Sequence, residues 1–270
     1  MIEINDLSHR YPDGKIALDS ASLDIKKGEF VVIAGRNGSG KSTLVQHMNA
    51  LLLPLSGSVK VEGLCTSRRE NIPQIRRKVG MVFQNPDSQF VGMTVEEDIA
   101  FGLENTGVET QRIRMLVDSV LDSMGLSGYK KYTPRILSGG QKQKVAIAGV
   151  LVMEPECVIF DEITSMLDPA SREEILTTIK SINEKGTTVV HITHRLEEAV
   201  DADRLVVMDS GRIVLDGVPD KVLANRELLQ EHGLRLPPLL ELSMKLSDAG
   251  IIRKGVLSED ELVEELCRSM

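Results

Sequence analysis

The chain has 270 residues, 41% of them hydrophobic, which is enough for a main folded domain with a small appendage. Its net charge is −8 and only 3% of residues are aromatic, so the basic excess and the aromatic platform of a nucleic-acid-binding protein are both missing. The three cysteines lie far apart, which excludes a disulfide framework or a zinc pattern and fits a reducing cytoplasm. No window reaches the ~18 apolar residues of a membrane span, and residues 1–30 lack the apolar core of a signal peptide.

The first part of the chain predicts strands around a glycine-rich turn. Within residues 2–33, apolar side chains such as Ile2 and Ile4 alternate with polar ones, as in half-buried strands. The apolar run 30–34 is continuous, which is typical of a strand buried on both faces. After the glycines, apolar residues follow helical spacing, and Pro54 is predicted to end that helix. Its apolar positions are Leu44, Val45, Met48, Leu51 and Leu52.

The middle of the chain predicts helices, and strands return after residue 156. Thr94 and Glu97 have the spacing of a capping box. Gly125 closes an amphipathic helix, because glycine readily takes the left-handed conformation at a helix end. The remaining predicted elements are that helix over 113–124, a strand over 157–160, a helix beginning at Asp168-Pro169 and a strand over 187–193. Strands that alternate with helices favour an α/β fold with a mostly parallel sheet.

Towards the end of the chain, prolines and glycines separate short helical pieces. We therefore predict a main domain over residues 1–220 and a small helical extension over 221–270. Ser258 and Glu261 have capping-box spacing within this extension. The apolar face around Leu262 is predicted to contact a second chain, with packing on the chain's own core as the alternative.

The strongest chemical signal follows the predicted buried strand. Eight residues there, 35–42, fit the P-loop pattern in its required context, after a strand and before a helix. The glycines let backbone N–H groups turn toward phosphate oxygens, and the helix N-terminus adds its dipole. Lys41 is predicted to reach the β- and γ-phosphates and the Ser42 hydroxyl to bind Mg²⁺, with a chance glycine-rich turn as the alternative. The candidate nucleotide-binding residues are Gly35, Arg36, Asn37, Gly38, Ser39, Gly40, Lys41, Ser42 and Thr43.

An acidic pair, Asp161 and Glu162, follows the predicted strand over 157–160. A carboxylate such as Asp161 can hold Mg²⁺ there, as a Walker-B aspartate does. Glu162 can orient the attacking water as a general base. An acidic pair is often only a strand end, but its place downstream of a P-loop favours the catalytic interpretation.

A third segment, residues 137–141 (LSGGQ), begins another predicted helix. Ser138 is a good N-cap, Gln141 lies at capping-box spacing, and two glycines expose backbone N–H groups, so this is a second candidate anion site. A capped helix without a ligand is the alternative. This pentapeptide is the signature of the ABC ATPase superfamily, which the sequence resembles over roughly residues 1–220. The candidate contacts are Ser138, Gly139, Gly140 and Gln141.

The resemblance implies a P-loop NTPase fold of the ABC type. That fold has a mostly parallel core sheet, an antiparallel β part at the N-terminus, and a helical signature subdomain, here at about 85–150, to which this chain adds a small C-terminal helical appendage. The resemblance also implies ATP and Mg²⁺ as cofactors and a head-to-tail dimer, in which each P-loop is closed by the partner's signature. The second ATPase is either an identical chain or a paralogue.

Several further family positions match single residues of this sequence. Tyr11 resembles the aromatic residue that stacks on adenine, with an exposed loop tyrosine as the alternative. Gln84 matches the glutamine that contacts Mg²⁺ and water and links to the membrane subunit. His194 matches the switch histidine that senses the γ-phosphate, with a structural histidine as the alternative. Ile163 stands where proline is usual, beside Glu162, which leaves the hydrolysis rate open.

Within the superfamily, residues 84–90, 96–105 and 164–169 resemble the energy-coupling-factor (ECF) importers. Those ATPases work with a transmembrane scaffold subunit and a small substrate-binding membrane subunit, and they import vitamins or cobalt and nickel ions. The resemblance therefore implies a peripheral protein on the cytoplasmic face of the cell membrane, with no nucleic-acid partner. The acidic and apolar residues after position 84 are predicted to dock a basic amphipathic helix of the scaffold, with Glu97 and Asp98 as the carboxylates to test.

Other function classes fit the sequence less well. ABC proteins of DNA repair carry a long coiled-coil insertion, for which the 97 positions from Lys41 to Ser138 leave no room. Translation-type members usually carry two ATPase domains in one chain. A pseudo-ATPase scaffold is disfavoured by the presence of Lys41, Asp161, Glu162 and His194. The motor of another ABC transporter stays as the alternative to the ECF type.

Overall fold

The computed structural model describes residues 1–253, 256 and 259–269. The strands are β1 (Ile2–Arg10), β2 (Ile16–Ile25), β3 (Phe30–Gly35), β4 (Ser56–Val61), β5 (Leu64–Cys65), β6 (Val79–Val82), β7 (Cys157–Asp161), β8 (Thr188–Thr193), β9 (Arg204–Asp209) and β10 (Arg212–Gly217). The α-helices are α1 (Lys41–Met48), α2 (Ile72–Lys78), α3 (Val95–Asn105), α4 (Thr110–Ser123), α5 (Gly139–Leu151), α6 (Pro169–Glu184), α7 (Pro219–Leu223), α8 (Arg226–Glu231), α9 (Pro238–Asp248) and α10 (Glu259–Ser269).

Two sheets form the frame of the molecule. The first is antiparallel, with the order β2-β1-β4-β5, and the second has the order β10-β9-β3-β8-β7-β6. In the second sheet β10 pairs antiparallel with β9, and the other pairs are parallel. The predicted parallel core and antiparallel N-terminal part are confirmed. Because β3, β7 and β8 are parallel neighbours, their carboxyl ends meet at one edge, and the segments that carry the candidate chemistry follow there.

The central strand β3 is buried on both faces, as its apolar run predicted. Val31 and Ile33 belong to a core between the two sheets, to which Leu44 and Met48 of α1 also contribute. The residues that alternate with them on β3, Phe30, Val32 and Ala34, face a second core beneath α5 and α6. Side chains on a strand alternate between faces, so an uninterrupted apolar run is what two cores on one strand require.

Helices α3, α4 and α5 enclose a core of their own. The capping box predicted for α3 is present, because Thr94 and Glu97 each bond to the other's backbone N–H. The amphipathic pattern predicted for α4 is confirmed, with Val117 and Leu121 among its buried residues. The helix ends two residues before Gly125, which is left-handed with φ +67°.

The end of α1 differs from the sequence prediction. The helix stops at Met48, and the exposed Leu51 lies beyond it, so the prediction that Pro54 ends the helix is wrong. Ala50 is left-handed with φ +56°, and the N–H of Leu51 bonds to the carbonyl of Gln46 at 2.9 Å. That is a left-handed helix ending, which satisfies the last carbonyls without glycine or proline.

Ion pairs hold the opposite edge of the parallel sheet. Glu156 precedes β7 and contacts Lys27, before β3, at 2.9 Å, and Lys78 at the end of α2. Hydrogen bonds from Lys78 and Lys27 lower the pKa of Glu156, outweighing the opposing effect of burial. One carboxylate therefore links the starts of two strands and the end of a helix.

The C-terminal helices pack in two places. Leu229, Leu234 and Leu240 join the core beneath the parallel sheet, whereas Ile252 and Leu262 belong to a separate small cluster. The predicted capping box at Ser258 lies outside the described residues, and the division at residue 220 stays a prediction. Among the described residues, no helix is long and apolar enough to cross a membrane.

Candidate active site

The turn between β3 and α1 forms a cradle of backbone groups. Gly38 and Gly40 are left-handed, with φ +82° and +106°. A Cβ at Gly40 would lie 2.4 Å from the carbonyl oxygen of Ala17, so glycine is required there for close packing as well as for conformation. This turn leads directly into the N-terminus of α1, where unpaired N–H groups and the helix dipole favour an anion.

Lys41 is the buried cation of the site. Its ammonium donates to the carbonyl oxygens of Gly35 at 2.8 Å and Arg36 at 3.1 Å, and it lies 3.2 Å from a carboxylate oxygen of Glu162. Only 3% of the side chain is exposed. A buried ammonium needs such partners to offset its lost hydration. The fold therefore fixes one positive charge between the glycine-rich turn and the end of β7.

The Ser42 hydroxyl donates to the carboxylate of Asp161 at 2.9 Å. These residues are 119 positions apart and meet because β3 and β7 end at the same edge of the sheet. Burial raises the pKa of Asp161 and the charge of Glu162 adds to this, whereas the Ser42 hydrogen bond and Lys41 oppose it. A buried carboxylate and a hydroxyl side by side are hard oxygen donors of the kind that Mg²⁺ prefers.

Glu162 follows β7 with a left-handed backbone, φ +52°. A non-glycine residue in that region costs roughly 1–2 kcal/mol, and such strain persists where neighbours hold it. Here the N–H of Glu162 donates to the carbonyl of Ile192 at 3.1 Å. Ile163 is buried in the core beneath the sheet, so its side chain anchors the turn where proline was expected from the family pattern.

Gln84 is linked to Glu162 through Ser165, and His194 lies near the Glu162 carboxylate. The Gln84 amide donates to Ser165 Oγ at 3.1 Å, and Ser165 Oγ in turn donates to the carbonyl of Glu162 at 2.8 Å. His194 Nδ1 lies 4.0 Å from Glu162 Oε2, and 43% of its side chain is exposed. Thus three sequence-predicted residues, Gln84, Glu162 and His194, do converge.

A cavity of about 310 Å³ is lined by Lys41, Ser42, Gln84 and Glu162, whereas Asp161 and His194 are not part of its lining. Tyr11 lines it beside Thr43, with the two hydroxyl oxygens 3.0 Å apart. Asn37 lines it as well, whereas the side chain of Arg36 lies against Gly233.

Two residues that the sequence motifs did not assign to the site also take part: Lys15 lines the cavity, and Ser165 bridges Gln84 and Glu162. The turn-forming sequence at residues 11–15 could have pointed to Lys15. The segment 164–169, which resembles the ECF importers, contains Ser165.

The signature segment lies outside this cavity. Ser138 Oγ accepts a hydrogen bond from the Gln141 N–H, and the Gln141 side chain returns one to the Ser138 N–H, which is the predicted capping box. Gly140 packs on α6, where an added Cβ would lie 2.8 Å from Ser171 Oγ. Among the described residues, the cavity is lined by the P-loop and by residues near it, such as Gln84 and Glu162. No residue of the signature segment lines it.

Known proteins resemble this chain over nearly its whole length. The profile of the ABC transporter family matches residues 18–165. The energy-coupling factor transporter ATP-binding protein EcfA1 of Clostridium novyi is 51% identical over 99% of this chain and 98% of that protein. EcfA1 of Clostridioides difficile is 49% identical over 99% of each.

Two solved structures share the fold. The cbiO1 protein of Clostridium perfringens, described as part of the transporter complex cbiONQ, has a TM-score of 0.77 and 38% identity, covering 89% of this chain and 97% of that one. An ATP-binding cassette dimer in a post-hydrolysis state with ADP and Pi has a TM-score of 0.74 and 30% identity, covering 81% and 99%. The chain therefore belongs to the ABC transporter family, as an ATP-hydrolysing subunit of the energy-coupling factor type.

Proposed function

We propose that this ATPase is the motor of an ECF-type importer, which energises uptake of vitamins or transition-metal ions through partner membrane subunits. It would act as a peripheral protein on the cytoplasmic face of the cell membrane. The observation that carries the proposal is that Lys41, Ser42 and Glu162 line one cavity, with Asp161 bonded to Ser42 behind it. The full-length likeness to EcfA1 proteins supports the choice of transporter type.

The P-loop turn binds the triphosphate. Backbone N–H groups around Gly38 and Gly40 donate to phosphate oxygens, and Lys41 neutralises charge on the β- and γ-phosphates. Contacts with Glu162 and with the carbonyl oxygens of Gly35 and Arg36 hold the lysine in place. Tyr11 contributes an aromatic face to adenine at the outer end of the cavity.

The donor set fits Mg²⁺. Ser42 and Asp161 supply a hydroxyl and a carboxylate that already touch, and Gln84 lines the same cavity as Ser42. When bound, the ion neutralises charge on the β- and γ-phosphate oxygens. Burial disfavours the charged form of Asp161, and a cation among these oxygens would relieve that cost.

Hydrolysis needs a base beside the γ-phosphate. Glu162 accepts a proton from the attacking water, whose oxygen forms the new bond to phosphorus as the bond to ADP breaks. His194 lies 4.0 Å from the Glu162 carboxylate. From there it would contact the γ-phosphate and report its presence. Gln84 orients the water and, through Ser165, bonds to the segment that carries Glu162.

A second ATPase chain, identical or paralogous, completes the site. The signature of one chain, Ser138 to Gln141, presents a capped helix N-terminus to the phosphates held by the other. A solved relative of the same fold is a dimer. We further propose that residues 1–220 form the ATP-binding domain, with the helical subdomain at about 85–150, and that 221–270 serve dimer contact.

A groove in the helical subdomain is the proposed docking site for the transmembrane scaffold subunit. The scaffold subunit would in turn hold the substrate-binding membrane subunit. The groove has a volume of about 670 Å³, and its lining includes Phe90, Val91, Met93 and Arg135. Val91 is 63% exposed and Met93 is 80% exposed. Exposed apolar side chains of this size suit the apolar face of a short amphipathic helix.

The carboxylates chosen from sequence already have partners within the chain. Glu97 accepts from the N–H groups of Met93 and Thr94, and Asp98 accepts from those of Val91 and Gly92. Reversing either charge would release this loop, so loss of docking would not report a direct contact. A substitution of Met93 changes the exposed surface of the groove without removing such a bond.

Co-purification tests this partner. Met93→Glu should abolish association with the membrane subunits while ATP hydrolysis by the isolated chain continues at the wild-type rate. Met115→Glu is the matched control, because Met115 is 63% exposed on α4 and does not line the groove. Retention of the scaffold by Met93→Glu would show that docking occurs elsewhere.

ATPase assays test the catalytic assignment. Lys41→Ala should lose ATP binding measured by calorimetry, because the charge facing the phosphates is gone. Glu162→Gln should bind ATP and accumulate an ATP-bound dimer without turnover. Hydrolysis at the wild-type rate by Glu162→Gln would reject Glu162 as the base.

A further inference from the structure

A buried carboxylate lies in the turn that follows His194. Glu198 belongs to the 3₁₀ turn Leu196–Ala199, and its side chain has no exposed surface. His191 Nε2 lies 2.7 Å from Glu198 Oε2, and the Thr164 hydroxyl donates to the same oxygen at 3.0 Å. A charge taken out of water in this way is retained only where hydrogen bonds offset the lost hydration. Glu198, His191 and Thr164 together are called the Glu198 clamp.

The clamp joins the two segments that carry Glu162 and His194. Thr164 stands two residues after Glu162, and His191 stands three residues before His194. Glu198 lies four residues beyond His194, so the clamp closes the loop around that histidine from both ends. None of the three residues lines the nucleotide cavity, and the proposed function gives them no role.

The His194 ring depends on this loop for its position. The strand β8 ends at Thr193, and 43% of the His194 side chain is exposed, so core packing does not fix it. On the far side, Leu196 and Ala199 anchor the turn in the core beneath the sheet. The bond from Thr164 to Glu198 then sets how far that turn stands from the Glu162 segment.

We propose that Glu198 is a positioning residue for ATP hydrolysis, acting with His191 and Thr164 to hold the His194 loop at its distance from Glu162. This inference rests on the proposed roles of Glu162 and His194. Loss of the clamp changes the alignment of these two side chains and leaves the P-loop cradle intact, because the cradle is built by β3 and α1. Turnover should therefore suffer while ATP binding does not.

A contribution to stability alone has a different signature. Removing a buried, bonded carboxylate lowers the folded fraction, and activity per milligram then falls in proportion. It leaves kcat per folded active site unchanged. The decisive measurement is therefore kcat per folded active site, compared with KM and with the affinity for ATP. A positioning role lowers kcat and leaves the other two unchanged.

The experiment uses the full chain with four single variants and one double variant, and His191→Gln is held in reserve. Glu198→Ala removes the clamp, and Thr164→Val removes one hydroxyl at nearly constant volume. Glu197→Ala is the matched control, because the side chain of Glu197 is next to Glu198 in sequence but 44% exposed. Among the described residues, its carboxylate forms an ion pair only with Arg195. Glu162→Gln reports whether the proposed function itself holds. Melting temperature, kcat, KM and the Kd for ATP are measured for each.

The proposal predicts that kcat of Glu198→Ala falls at least tenfold and that of Thr164→Val falls several-fold, while KM and Kd stay within twofold. Combining the two substitutions should lower kcat no further than Glu198→Ala alone, because Glu198→Ala already removes the hydrogen bond from Thr164. Glu197→Ala should match the wild type. If Glu198→Ala does not fold, Thr164→Val and His191→Gln carry the test.

Wild-type kcat in folded Glu198→Ala or Thr164→Val would overturn the proposal, and so would fully additive losses in the double variant. These failures are distinct from failure of the proposed function. If Glu162→Gln loses turnover while the clamp variants keep it, only the clamp is rejected. If Glu162→Gln keeps turnover, the catalytic assignment on which the clamp rests is rejected as well.

Discussion

Two matched capping boxes allow the structural and catalytic roles of the signature serine to be separated. Ser138 Oγ accepts from the N–H of Gln141 and Thr94 Oγ1 from that of Glu97, each at 3.3 Å. Ser138→Ala and Thr94→Ala therefore remove equivalent caps from α5 and α3. Each should cost about 1 kcal/mol of stability. For a domain of this size, that corresponds to a fall in Tm of roughly 2–4 °C.

Catalysis should distinguish the two variants. Only Ser138 faces the phosphates of a second chain in the proposed dimer. A lost hydrogen bond to a charged oxygen costs about 1.5–3 kcal/mol, which corresponds to a roughly 10- to 150-fold lower rate. Ser138→Ala should show this loss, whereas Thr94→Ala should keep its rate within about twofold despite the same loss of stability.

The assay is steady-state phosphate release at saturating ATP, with calorimetric melting of the same samples. Equal falls in Tm together with a selective loss of turnover in Ser138→Ala support the reasoning. If Ser138→Ala melts like Thr94→Ala and hydrolyses ATP at the wild-type rate, Ser138 is a helix cap and nothing more. The head-to-tail arrangement would then lose one of its supports.

Three further outcomes follow from charges and exposure. The pKa of Glu156 is lowered in the folded chain, so its stabilisation is present above the unfolded pKa and lost as pH falls through the folded one. Glu156→Gln should lower Tm by about 1–2 °C at pH 7, and the difference should shrink as the pH falls below about 4.5 and through the lowered pKa of Glu156; a difference that does not change with pH would refute this. Burial raises the pKa of Cys157 to about 12, whereas a hydrogen bond from Ser67 lowers that of Cys65, so iodoacetamide at pH 8 should label Cys65 and spare Cys157, as mass spectrometry of the peptides can check. Val263→Asp, on a residue 59% exposed in α10, should weaken the dimer in sedimentation without changing ATP affinity, and an unaltered association constant would exclude this face.

Local patterns determined much of this protein. The P-loop follows from its own spacing, because glycine conformations and a helix N-terminus are set by a few consecutive residues. The capping boxes at Thr94 and Ser138 formed as predicted, since each closes over four residues. The amphipathic α4 and the fully apolar β3 were evident for the same reason: helix and strand periodicity show which faces are buried.

The tertiary structure determined which residues that are distant in sequence come into contact. The Ser42–Asp161 contact spans 119 positions and depends on the order and register of parallel strands, which no local pattern encodes. The end of α1 was missed because the left-handed Ala50 replaces the expected proline stop. No local sequence pattern marks Glu198 as a buried residue. Only the fold buries it between His191 and the Glu162 segment, because a carboxylate's environment is set by chains that arrive from elsewhere in the structure.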